Sequence, residues 1–549
     1  MKKVFLALCL AAALVMPGCL KVDNSLGKGL VDKSLLFNTY TAEFPLEDIQ
    51  LKASEALSGY SDTRITIGAI RDEVFGLTTR EAAFTLIPEN DTIDLGTNPK
   101  VVSFTLNFSQ DTISCADDSQ ARIFQNIYVT ELTKALPSSE EDTRNTQDIP
   151  HGATLLTKGL IPYNGEGSLT FNFTKEFAEK YLEMMKKVGP VFRTDDDEDK
   201  AEEIYKKIIA EIPGIHLRTD APEGIGGRIN MFNFSYLTVS NNYYVRNTNV
   251  GKLTINSTWG NVQKDSTFTI VPGETELYDE MEYLLSNTKF YQYCFNRTTQ
   301  STVPGPAYES IPVEGGGGLK PVILARELQD KTRRAILDVG GDPDKAVIVK
   351  ATIVLPFEMP ESYETLKYFP SVLSPTIQKT IEDDEGVERP TFAGLTDASV
   401  STEDQGNIDR SNLIYKPDIT YHLQELLTRT DLDTETDADI WLLTIHTQKV
   451  ANANGSLADN AYYQNLMYAS YYNALYGGGY GGYGGYGYGN GYSNYYNYMM
   501  LSQMMAASQQ QTYSYTTELD KDRYYCAILN GEDEERAPLF RVTFAIPQD

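Results

Sequence analysis

Two residue types that often carry chemistry are nearly missing from this chain, which has 5 cysteines and 4 histidines in 549 residues. Cys9 falls inside an N-terminal apolar run and Cys19 closes it, leaving Cys115, Cys294 and Cys526. Three widely spaced thiols close one disulfide at most and make no cross-linked framework. Buried thiols acting as small apolar side chains are the expectation. His151, His216, His422 and His446 have no His or Cys partner at ligand spacing, so no metal and no cofactor is expected. Positive charge is also short. The 47 Lys and Arg face 76 Asp and Glu, leaving a net charge of -29 and a pI near 4.6. Such a body repels nucleic acid and anionic head groups, so nucleic acid is not an expected partner. No run after the first residues is apolar for the roughly 20 positions that a helical crossing needs.

What the N-terminus does hold is a secretion signal. Lys2 and Lys3 precede the apolar run Val4 to Met16, and Gly18 places a small residue before Cys19. Residues 1–18 read as a signal peptide, with Cys19 as a lipid-attachment site. Acylation at that level exceeds the two-signal threshold for stable anchoring, so the membrane is an expected partner through the lipid. Residues 19–50 read as a lipidated tether and lead-in strand. Leu20 to Asn24 carry one Asp and one Lys, a partial form of the acidic surface-export signal.

Beyond the tether the texture is β. Ile65 and Ile67 alternate with polar neighbours, and the same period runs through Val102 to Phe108. Ile127 to Leu132 is apolar and β-branched. Ser168 to Phe173 runs into a helix over 175–188 with Phe177, Tyr181, Leu182 and Met185 on one face and Thr174 as its cap. Asp195 to Asp199 reads as a solvated loop, followed by a short helix over 201–212. The second half repeats this order loosely. Ala346 to Leu355 corresponds to Val101 to Phe108, and Asp418 to Leu427 to Ser168 to Leu182. Ile440 to Ile445 corresponds to Gly214 to Arg218, and Phe540 to Ile546 to Ile229 to Val239. The expected fold is mainly β, with two jelly-roll-like β-sandwich units, a few short helices and a helical, Gly/Tyr-rich insertion. The units are expected at 51–300 and 301–549, with the insertion at 450–516. Its centre holds Tyr476, Tyr480, Tyr483, Tyr486 and Tyr488 among glycines, too many for a helix or a packed core. Two readings stay open there: a plain hairpin tip, or a partner-binding loop whose rings stack on glycans or protein.

No catalytic constellation appears, and an enzyme is not expected. Gly315 to Gly318 lacks the Lys-Ser/Thr pair of a phosphate loop. Asp431, Asp433, Glu435, Asp437 and Asp439 begin like a calcium loop, but Thr436 stands where the turn glycine belongs. Asp338, Asp342 and Asp344 form a similar weak cluster. Trp259 and Trp441 are candidate sugar platforms, with core packing the better reading for Trp441.

Several short segments together resemble a family of Bacteroidota outer-membrane lipoproteins catalogued as a domain of unknown function. They are Asn24-Ser25-Leu26-Gly27, Ile67-Gly68 with Asp72 to Gly76, Tyr128 to Leu132, Gly214-Ile215, Gly315 to Gly318, Asp418-Ile419-Thr420 and Arg523 to Gly531. The resemblance implies a β-rich lipoprotein of about 400–550 residues facing the surface or the periplasm, and it supplies no catalytic residues. The Gly/Tyr insertion departs from the family pattern. The expected function is a lipid-anchored, non-catalytic scaffold or binding component of an envelope complex, including outer-membrane protein assembly or export, with envelope proteins as partners. The alternative is a glycan-binding or adhesin lipoprotein. The outer membrane, with the body at the cell surface, is the expected location; the periplasmic face stays open.

Overall fold

The computed structural model describes residues 37–548, apart from 137–143, 193–197, 273–293, 300–304, 383–387, 398–405, 452–512, 520–522 and a few shorter stretches. Strands take up 50% and helices 16%, so the protein is mainly β and built from antiparallel sheets. The chain begins with β1 (Phe37–Pro45) and β2 (Gln50–Lys52). Next come β3 (Arg64–Asp72), β4 (Gly76–Phe84), β5 (Leu86–Pro88), β6 (Thr97–Phe108), β7 (Gln125–Leu132) and β8 (Leu169–Asn172). Helices α1 (Lys175–Val188) and α2 (Glu198–Glu211) lead to β9 (Ile215–Thr219), β10 (Gly226–Asn233), β11 (Gly251–Trp259), β12 (Val262–Pro272) and β13 (Cys294–Thr299). The second half holds β14 (Lys320–Ile323), α3 (Ala325–Asp338), β15 (Val347–Pro356), β16 (Val372–Glu382), α4 (Thr420–Leu426), β17 (Ile440–Ala451), β18 (Tyr513–Leu519) and β19 (Leu539–Pro547).

Alternation builds these strands as expected. In β6, Phe104, Leu106 and Phe108 are buried while Val102 is 55% exposed. The helix start is also as read: Thr174 Oγ1 accepts the Phe177 N–H at 3.2 Å. One face of α1 then covers the sheet. Phe104 lies 6.0 Å from Phe177 and 5.0 Å from Tyr181 between ring centroids. The buried Tyr181 hydroxyl donates to Leu86 O at 2.9 Å. Glu198 and Asp199 belong to α2 rather than to an acidic loop.

Two large apolar cores result. The first lies between a 10-stranded sheet containing β7-β9-β4-β3-β10 and a 5-stranded sheet ordered β8-β6-β11-β12-β5, with α1 and α2 packed in. The second lies between a 5-stranded sheet beginning β1-β19-β15 and a 7-stranded sheet containing β2-β14-β17-β16, with α3 and α4. Leu46, Ile49 and Leu51 sit in this second core with residues 307–546, although they come first in the chain. The strand β1 pairs along its whole length with β19, from Phe37 opposite Pro547 to Pro45 opposite Leu539. The first core is thus an excursion between β2 and the strand Gly305–Pro306, which pair with each other.

The two units share one pairing scheme. In the first, β6 lies between β8 and β11, and β12 flanks β11. In the second, β15 lies between a bridge at Asp418 and β19, and β1 flanks β19. A helix follows both β8 and Asp418. The opposing sheets match as well: β13-β4-β9-β7 corresponds to β2-β14-β17-β16. The chain order is the same once the second unit is rotated, so its ends fall where the first has the turn between Trp259 and Val262. This pairing makes β19, with Phe540 to Ile546, the counterpart of β11. The expected match to Ile229–Val239 is corrected, because β10 pairs with β3 in the opposing sheet. Helix α3, absent from the sequence reading, stands where the first unit has β5.

Alternation in β6 is directly testable. Phe104→Ala should cost about 3–5 kcal/mol in denaturant unfolding, whereas Val102→Ala on the same strand should stay within about 0.5 kcal/mol. Equal costs would contradict the assigned faces.

Candidate functional site

The anchor and adhesive residues named from the sequence, Cys19 and Tyr476, Tyr480, Tyr483, Tyr486 and Tyr488, lie outside the described residues. Their attachment points are described. The chain from Cys19 enters the body at the start of β1, and fully extended it can reach about 60 Å. The insertion leaves from the open end of the β17-β18 pair, whose register runs from Ile445 opposite Leu519 to Ala451 opposite Tyr513. Strand backbone thus occupies the outer margins of the 450–516 span.

Two of the four histidines meet across strands. The rings of His151 and His216 stack at 4.0 Å and 19°. Thr130 Oγ1 lies 3.4 Å from Nδ1 of each ring, and His216 Nε2 lies 3.1 Å from Glu81 Oε2. Burial pushes the His216 imidazole below its ordinary value, with the Glu81 hydrogen bond opposing. Sequence spacing could not show this pair, because β7 is what joins them: Leu132 pairs with His151 and Thr130 with His216. His422 is also buried, with Nε2 2.9 Å from Ala438 O. Among the described residues no group of three or more His, Cys, Asp or Glu could hold a metal ion. Cys115 is a free, buried thiol.

Arg228 is a fully buried cation held by carbonyls. Its guanidinium donates to Ala121 O at 3.0 Å, Ile123 O at 2.7 Å and Tyr163 O at 3.0 Å, and to Asn230 Oδ1 at 2.6 Å. Burial lowers its pKa to about 10. Gly165 permits the approach: a Cβ there would stand 2.7 Å from the guanidinium Nε.

The glycine run lies against residues from the other unit. A Cβ on Gly316, at φ +65°, would stand 2.1 Å from Arg80 Nη2, and one on Gly317 would stand 2.8 Å from Asn145 Oδ1. A Cβ on Gly315 would stand 2.5 Å from the carbonyl oxygen of Arg523. The run is therefore a close-packing device between the two units. Beside it, the buried Lys320 Nζ donates to Glu314 O at 2.7 Å. Burial pushes the Lys320 ammonium down to about 7, with Glu314 opposing and Arg80 assisting. A second link joins the units at the surface, where Asp118 accepts from Lys367 and from the Tyr368 hydroxyl.

The acidic clusters form local ion pairs at the surface, whereas Asp439 and Asp397 are buried. Asp431 and Asp437 clamp Arg429 at 2.8 and 2.9 Å, while Asp439 accepts the Ala325 N–H at 3.0 Å at the start of α3. Asp342 pairs with Lys345 at 3.1 Å and Asp344 with Arg333 at 3.3 Å. Asp397 accepts the Tyr421 and His422 N–H groups of α4. Trp441 is buried edge-on to Phe392 at 5.5 Å. Trp259 carries Lys264 Nζ over its ring at 4.3 Å.

Comparison with protein-family models, with curated proteins and with solved structures returns no match. The chemistry of this chain therefore has to be argued from its own residues.

Lys320 gives a signed test. Its native pKa is depressed below the ordinary value near 10.4, so between about pH 7 and 10 the unfolded chain binds more protons. Stability from this group rises with pH across that window. Lys320→Met removes the rise, so the wild-type advantage over the variant should grow from pH 7 to 10 in paired urea titrations. Parallel curves would mean that the lysine is buried charged.

Proposed function

We propose that this chain is a lipid-anchored outer-membrane lipoprotein of the Bacteroidota type, attached through Cys19 with its body at the cell surface. It acts as a non-catalytic scaffold or binding component of an envelope complex, such as one that assembles or exports outer-membrane proteins. In this reading each sheet pair is a jelly-roll-like sandwich.

One observation carries the proposal. Arg228, Lys320, Asp397, Asp439 and Asp118 use their polar groups to hold turns, helix starts and the two units in place, while the anchor and the tyrosine-rich segment both depart from strand ends. Arg228, Arg429 and Asp397 each face a partner within the protein. Two firm cores with a membrane tether at one strand and a sticky segment at another suit a holder better than a reactor.

Cys19→Ser should move the protein from the membrane fraction to the soluble fraction without changing its unfolding midpoint. Retention of the variant on membranes would count against the lipid anchor. Deleting 477–489 should reduce recovery of cross-linked envelope partners several-fold while leaving membrane attachment intact. Full recovery would remove the tyrosine-rich segment from the binding surface.

A further inference from the structure

We propose that the outer edge of β1 is a docking site for an extended segment of a partner protein, one that is apolar in its centre and basic at its flanks. The inference rests on the binding-component reading above and gives it a surface.

The edge is open. On one side β1 pairs with β19 over nine residues, and it ends its sheet: among the described residues no strand pairs with its other side. Such an edge presents a row of free N–H and C=O groups, and the occupant that matches that row is another strand.

The molecule provides its own comparison, because β12 is the counterpart of β1 in the other unit. Along its exposed reach β12 carries Lys264 and Asp265, the kind of charges that keep a stray strand away. The corresponding reach of β1 reads Phe-Asn-Thr-Tyr-Thr-Ala-Glu-Phe. It has no Lys or Arg, and its one charge, Glu43, is held by Arg541 at 2.7 Å. Phe37 stands 45% exposed at its start. Thr39, Tyr40 and Thr41 favour extended pairing. No proline interrupts the strand before Pro45, which is where the Lys331 ammonium of α3 covers the chain by hydrogen bonding to Pro45 O at 2.5 Å. The exposed edge therefore runs from Phe37 to Phe44.

The occupant's chemistry follows from two facts. Phe37 to Ala42 carry no charged side chain, so the centre of a segment laid along them finds no charge to pair with and is itself apolar. The body carries a net charge of -29, so a second copy is repelled and a basic flank is attracted.

The test uses the purified full-length protein in detergent and a synthetic eight-residue peptide of alternating Val, Ile and Thr between two lysines at each end. Hydrogen exchange is followed with and without peptide. Peptide should slow exchange of the 37–44 amides at least fivefold, and the effect should weaken in high salt. A fully N-methylated peptide, which cannot donate to a strand edge, should give no protection. Three results would overturn the proposal: no change at 37–44, equal protection by the N-methylated peptide, or protection without peptide that grows with protein concentration, which would make the occupant a second copy. The outcome is independent of the Cys19→Ser fractionation, so a failed anchor and a failed edge are told apart.

Discussion

The pairing of β1 with β19 is the constraint on which the architecture depends. It closes the second sheet stack with the first and last described strands, Phe37 opposite Pro547. A one-residue slip would turn Tyr40, Ala42 and Phe44 away from the core they pack against. Aromatic contacts fix the register, with Tyr40 on Phe544 at 5.9 Å and Phe44 on Phe540 at 6.3 Å. Because the two ends meet in one sheet, everything between β2 and Gly305 is held as an excursion whose own core cannot drift away.

The two units are related by a rotation of chain order, and this explains where the variable parts sit. Where the first unit turns from Trp259 to Val262, the second has its chain ends. Where the first has β5, the second has α3, capped by Asp439 and tied to the β1 end through Lys331. The sandwich tolerates these exchanges because its cores rest on the shared strands. Residues 19–36 join the shared set at the start of β1, and residues 452–512 leave it at the end of β17, so both are carried by strands that have counterparts in the first unit.

Buried polar groups supply the specificity that apolar packing alone would lack. Arg228 gathers carbonyls from the 121–123 turn and from Tyr163, so it ties a turn to the strand pair at Tyr163 and Gln125. The Arg80, Glu314 and Lys320 group does the same between the units, where the glycine run lets backbone approach a guanidinium. Desolvation of such charges costs several kcal/mol per ion before partners offset it.

What the sequence determined by itself was local. Alternation marked β3 and β6, because one face of a half-buried strand must be apolar, and β-branched composition marked β7. The Thr174 cap and the Phe177, Tyr181, Met185 stripe marked α1, because its face meets the sheet every 3.6 residues. Cys19 and the tyrosine-rich run were legible as composition. Helix α3 was not: Leu324 caps it without a side-chain hydrogen bond, so its start carried no signal. The tertiary structure alone decided that residues 37–51 belong to the second core, that His151 meets His216, and that Gly316 faces Arg80. Each joins residues far apart in the chain, and the periods of a sequence report which face a residue takes, not which strand will lie beside it.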